Sequence, residues 1–150
     1  MINIEIIPEF RRVFMPSILE RAAKATLHQQ SAPDVDLSLV LTGDSQIQAL
    51  DRDFLKKDAP TDVLSFPSFE TDPETGRRYL GDIIISVPQA EAQSVAAGHS
   101  LEAELSLLVI HGVLHLLGHD HAGVRDKGRM WAAQSEILTI LGIPPTIVYE

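Results

Sequence analysis

Apolar and polar residues follow two different periods along the chain. Residues 2–7 (INIEII) alternate and predict a strand closed by Pro8. From Pro16 to Gln30, Ile18, Leu19, Ala22, Ala23 and Leu27 recur at helical spacing, with Thr26 the one polar member of that face. Val35 to Thr42 alternates again and predicts a half-buried strand. Asp44 or Ser45 is placed to cap a helix running to about Lys56, with Ile47, Leu50 and Phe54 inward. A loop around Pro60 and a short strand, Val63 to Phe66, ended by Pro67, follow. Phe69 to Tyr79 is polar and turn-rich, which predicts an exposed loop. The β-branched run Ile83-Ile84-Ile85 centres a strand from Leu80 to Val87. Pro88 to Ala97 reads as a helix stopped by Gly98. Ser100 caps an almost wholly apolar helix reaching Leu117 and stopped by Gly118. Val124 to Leu141 is the last amphipathic helix, with Trp131 expected in the core.

These are about four strands and five helices with no strict βαβ rhythm. The expected fold is therefore α+β, a mixed sheet with helices packed on it, in a single domain spanning residues 1–150. Composition agrees: 45% hydrophobic and 22% charged residues exclude a mostly disordered chain. The longest apolar run, Leu105 to Leu117, is interrupted by Ser106, His111, Gly112 and His115, so no membrane span is expected. No secretory leader is read at the N-terminus, and a cytoplasmic protein is expected. The lack of cysteine excludes disulfides, thiolate metal sites and cysteine nucleophiles. A net charge of −9 weighs against a nonspecific nucleic-acid coat, and DNA is not expected as a partner.

The chemistry is concentrated in one string, HGVLHLLGHDH. His111 and His115 are four apart on a helix, so both side chains leave one face a turn apart, the spacing by which two imidazoles grip one metal ion. In a continuous helix His121 would lie about 15 Å along the axis from His111. It can return only if the helix stops, and Gly118 stands where that stop belongs. Three neutral imidazoles suit one Zn²⁺ with a fourth position left to water, the catalytic rather than the structural pattern. Nickel, copper or iron also accept such a set. Asp120 either orients a ligand histidine or caps the turn. His119 reads as a proton carrier or an exposed side chain rather than a fourth ligand.

HExxH peptidases carry a glutamate base immediately after the first histidine. Here that position is Gly112, although His111, His115, Gly118 and His121 fit the longer HExxHxxGxxH spacing. The metal scaffold is present without the peptidase base, which turns the reading from amide hydrolysis toward a substrate such as a phosphodiester.

The string resembles the signature of the YbeY family, bacterial single-strand-specific metallo-endoribonucleases. Two further segments match, Pro60 to Pro67 (PTDVLSFP) and Leu80 to Ser86 (LGDIIIS), and the resemblance extends from about Val35 to Leu141. It implies an α+β fold and one zinc ion on His111, His115 and His121 at the end of a buried helix. It also implies a metal-bound water as nucleophile or base, and single-stranded RNA as substrate. The role implied is ribosomal RNA processing, including maturation of the 16S 3′ end, and ribosome quality control, with the ribosome or its proteins as partners. The family commonly carries an arginine where this chain has Leu55, and Lys56 or Arg52 is the available replacement. Lysine lacks the guanidinium fork, so phosphate would be held as by a point charge. His119 stands where tyrosine is frequent in the family.

The remaining matched residues have modest expected roles. Thr61, Asp62 and Asp82 read as turn and strand-end hydrogen bonding before they read as cleft residues. Arg125, Lys127 and Arg129 follow the third histidine closely, as surface charge or as contacts to an RNA backbone. Two other functions fit the residues alone: a metallohydrolase of another class, such as a peptidase, and a noncatalytic ribosome-binding factor whose metal braces the helix end.

Overall fold

The computed structural model describes residues 1–55, 61–119 and 123–144. Four strands, β1 (Ile2–Ile6), β2 (Val35–Thr42), β3 (Val63–Pro67) and β4 (Arg78–Ser86), form one sheet in the order β1-β2-β4-β3. β1, β2 and β4 run parallel, and β3 is antiparallel to β4. Among the described residues there are five α-helices: α1 (Ser17–Gln29), α2 (Asp44–Leu50), α3 (Val87–Ala97), α4 (Leu101–Leu116) and α5 (Val124–Ile140). The α+β class with a mixed four-stranded sheet is as the sequence predicts.

The period-two pattern of the strands decides which helix covers which face. Leu37, Leu39 and Leu41 of β2 and Ile83 and Ile85 of β4 point to one side, where α1, α4 and α5 close the main core. Val40, Ile84 and Leu64 point to the other, where Ile47 of α2 meets them. α4 lies inside the larger layer. Every residue from Glu104 to Leu116 is buried except His115, which is half-buried. Gly112 permits a close approach to the sheet: a Cβ there would stand 2.8 Å from Ile83 Cγ2.

Side-chain caps start two of the helices. Ser86 and Ser100 accept from the backbone N–H of Gln89 (3.3 Å) and Ala103 (3.1 Å), capping α3 and α4.

Four expectations need correction. Neither Asp44 nor Ser45 caps α2. Gly43 holds the cap position without a side-chain bond, and the Asp44 carboxylate instead accepts from Ser86 Oγ at 2.7 Å, tying α2 to the end of β4. Past Leu50 the helix widens into a π turn, Asp51–Leu55. The inserted residue shifts the helical phase, so Phe54 faces outward, 66% exposed, and meets Phe66 edge-on with centroids 5.8 Å apart. The segment from Phe69 to Gly76 is the exposed, turn-rich loop expected, but β4 begins at Arg78 rather than Leu80, with Thr71 bridged to Arg78 and Tyr79 N–H donating to Glu70 C=O at 3.0 Å. Trp131 is half-buried rather than core, with Lys127 Nζ 4.5 Å from its ring centroid. β3 includes Pro67 because this edge strand pairs only with β4, and its outer side needs no donor.

Candidate metal centre

His111 and His115 occupy the last two turns of α4 and face each other through their Nε2 atoms, 3.0 Å apart. Their rings meet at 70° with centroids 4.5 Å apart. His111 is only 5% exposed, and its other nitrogen, Nδ1, lies 3.2 Å from Gln134 Oε1 on α5. An amide oxygen can only accept, so a hydrogen bond at this contact requires the proton on Nδ1, the tautomer whose Nε2 lone pair is directed toward His115. His115, the one half-buried residue in this stretch of α4, opens the pair toward the surface.

The arrangement fits a shared ion. Two nitrogens each about 2.0–2.1 Å from a metal, at bond angles between octahedral and tetrahedral, stand roughly 2.9–3.3 Å apart. The observed separation of 3.0 Å falls inside that window. Among the described residues no group of three histidine or acidic side chains gathers to hold a metal. His121, the third donor the spacing predicts, lies outside the described residues, as do Asp120 and Lys56.

α4 stops at Gly118, where the sequence predicts its end. Leu117 is the cap, Gly118 adopts φ +99°, Gly118 N–H donates to His115 C=O at 3.0 Å, and His119 N–H donates to Leu114 C=O at 2.9 Å. These two bonds are the Schellman pattern, and they turn the chain back at the histidines. His119 is half-buried rather than exposed, and its Nε2 lies 2.7 Å from Gln30 Oε1 at the end of α1. Burial first, and the Arg129 charge second, push the His119 imidazole below its ordinary value, so the ring is neutral near pH 7. Of the basic residues after the histidine string, Arg129 thus acts electrostatically on this region, and Arg125 is exposed.

The other matched residues build the frame. Asp62 accepts from Val63 N–H at 2.8 Å and from Gln93 Nε2 at 3.2 Å. Gln93 also reaches Glu104 at 3.5 Å, and Glu104 meets His99 Nε2 at 2.7 Å. Burial raises the Glu104 carboxyl above its ordinary value despite the His99 bond. This chain of polar groups ties the start of β3 to the first turn of α4. Asp82 is hydrogen bonded by the Tyr79 hydroxyl, which also lies 2.7 Å from Ser38 Oγ. Thr61 Oγ1 lies 3.4 Å from Asp62, so both segments show the structural bonding expected of them.

Sequence reasoning missed Gln134. Its signal was legible, since it falls on the face of α5 that also carries the apolar Met130, Ile137 and Leu138, and buried amides need partners.

The chain is similar to known proteins over most of its length. Residues 7–142 match the family model described as Endoribonuclease YbeY. The chain is 41% identical to the Endoribonuclease YbeY of Roseiflexus castenholzii over 95% of this chain and 94% of that protein. It is 44% identical to that of Chloroflexus aurantiacus, over 85% and 87% of the two chains. It is also similar to the solution structure of a Thermotoga maritima protein, with a TM-score of 0.62, 25% identity, and 95% and 92% of the two chains covered. With the fold, the histidine string and these likenesses in accord, the chain belongs to the Endoribonuclease YbeY family.

Proposed function

We propose that the protein is a zinc-dependent endoribonuclease acting on single-stranded RNA, with one ion held by His111, His115 and His121. The observation that carries this reading is the facing of two Nε2 atoms at 3.0 Å, one of them oriented by Gln134, in a family whose members are named endoribonucleases. When bound, the ion supplies Lewis acidity to a phosphoryl oxygen and lowers the pKa of water toward roughly 7.

The chain's own residues supply the rest. Half-buried His115 leaves an approach for substrate, while buried His111 is held from behind. His119, kept neutral and bonded through Nε2 to Gln30, presents Nδ1 as a proton acceptor. Asp120 orients a ligand histidine, and Lys56 contacts phosphate in place of the arginine replaced by Leu55. The position of the peptidase base is filled by packing, since Gly112 abuts Ile83, and this weighs against amide hydrolysis. The resemblance to the family directs the substrate reading to ribosomal RNA, including the 16S 3′ end, in a cytoplasmic protein that meets the ribosome.

The test pairs elemental analysis of purified protein with cleavage of single- and double-stranded RNA, with and without chelator. About one zinc per chain and chelator-sensitive cutting of the single strand are expected. Undiminished cleavage by metal-free protein defeats the proposal. End-group analysis of the products then separates attack by water from attack by the RNA 2′-hydroxyl.

A further inference from the structure

Gln134 stands out on α5. It is 3% exposed on a helix face otherwise closed by Met130, Ala133, Ile137 and Leu138, where an aliphatic side chain would bury without the cost of desolvating an amide. Its Oε1 points at one atom, His111 Nδ1, across 23 residues of sequence. His111 sits on α4 with every neighbour in its turn buried, so water has little access to that nitrogen.

We propose that Gln134 is a positioning residue that locks His111 in the Nδ1-protonated tautomer, making Nε2 its metal-binding atom. The proposal rests on the reading of His111 and His115 as metal ligands. A neutral imidazole has one donor and one acceptor nitrogen. If the proton sat on His111 Nε2, it would donate across the 3.0 Å gap to His115 Nε2, and both lone pairs would be withdrawn from an ion. With the Gln134 amide turned as it stands, oxygen toward Nδ1, that tautomer is costly, because Nδ1 would then set a lone pair against Oε1 in a buried space. α5 therefore braces the His111 ring against the metal site as well as closing the core. A uncharged acceptor also leaves His111 a neutral donor and adds no negative charge to the buried site, unlike a carboxylate.

The experiment has two readouts, neither of them catalysis. The first is the His111 tautomer in metal-free protein, read from long-range proton–nitrogen correlation spectra. The second is zinc affinity, measured by competition with a chromophoric chelator. In the native chain the Nδ1-protonated form is expected to dominate. Gln134→Met, close in shape but unable to accept as an amide does, should fold, shift the tautomer toward Nε2–H and weaken zinc binding by about 10- to 100-fold. Gln134→Glu, which still offers an acceptor oxygen, should restore the tautomer and the affinity. A native chain with Nε2–H dominant, or a folded Gln134→Met protein with unchanged tautomer and affinity, overturns the proposal. Should the native chain bind no zinc, the metal reading fails, and the tautomer spectra still decide what Gln134 does to His111.

Discussion

Gly112 and Ile83 are in contact to the limit of packing: a single added carbon at Gly112 would stand 2.8 Å from Ile83 Cγ2 and 3.1 Å from Cδ1. A glycine in mid-helix costs about 1 kcal/mol relative to alanine, so the sheet contact must outweigh that term. Gly112→Ala is expected to destabilise the fold by about 1 kcal/mol net, the helix gain falling short of an overpacking cost of roughly 1–3 kcal/mol. Ile83→Ala in the same chain should relieve part of that cost. A double-mutant cycle by urea denaturation checks it, with a coupling of at least about 0.5 kcal/mol expected. Simple additivity would show that the contact does not govern the site.

His115 is half-buried and at the end of α4, so its loss opens no large cavity. His115→Ala should keep a cooperative fold while losing retained zinc and RNA cleavage. Metal analysis, circular dichroism and a single-stranded RNA assay on one preparation test this together. Full activity in that variant removes the basis of the functional reading.

Gly118 holds φ +99°, a conformation that side chains other than glycine strain to adopt. Gly118→Ala is expected to cost about 1 kcal/mol or more and to loosen the turn that brings the chain back past His115. Zinc affinity should fall with it. Affinity equal to the native chain would show that the turn is not needed to place the third donor.

Asp36 accepts two hydrogen bonds from Arg77, at 2.8 and 3.0 Å, and a further one from the Met1 amino group. The Arg77 bonds first, then the amino group, hold its carboxyl below the usual carboxylate range. A depressed folded-state value stabilises above the unfolded value, about 3.9, and that contribution disappears as pH falls through the depressed value. Asp36→Asn should therefore be less stable than the native chain at neutral pH, the difference closing in acid. Denaturation midpoints at pH 7 and below pH about 3 measure it.

Glu104 behaves oppositely. Burial raises its carboxyl, opposed by the His99 bond, with Gln93 and Asp62 facing it from α3 and the start of β3. A raised folded-state value contributes stability below the unfolded value, about 4.3, and loses it as pH climbs through the raised one. Glu104→Gln lacks this loss, so its stability relative to the native chain should grow with pH across that window. A constant difference from pH 4 to 7 would contradict the assignment.

Much of the architecture was legible because it is written within single turns of chain. Ser100 and Gly118 bound α4 as local capping chemistry requires, and the four-residue step from His111 to His115 fixed their shared face before any packing was known. Alternation fixed β2 to the residue, Val35–Thr42, because Leu37, Leu39 and Leu41 face the main core while the polar Asp36 and Ser38 between them face away from it. Phe54 and Trp131 were misplaced for a common reason. Hydrophobic character says that a side chain benefits from burial, while phase and neighbours say whether it gets it. A π turn rotated Phe54 outward, and α5 turned Trp131 to the rim under Lys127.

The sequence by itself determined two histidines on one face, the helix that carries them and the stop that follows. Those features depend on backbone geometry over a few residues. Only the tertiary structure decided that α4 is enclosed between sheet and helices, that Gly112 is a packing requirement, and that Gln134 orients His111. Each of these joins groups from separate elements, 23 residues apart for Gln134 and 29 for Ile83 and Gly112. Such partners meet only when burial has stacked the layers, because the free energy that pairs them belongs to the assembled core and not to any stretch of chain.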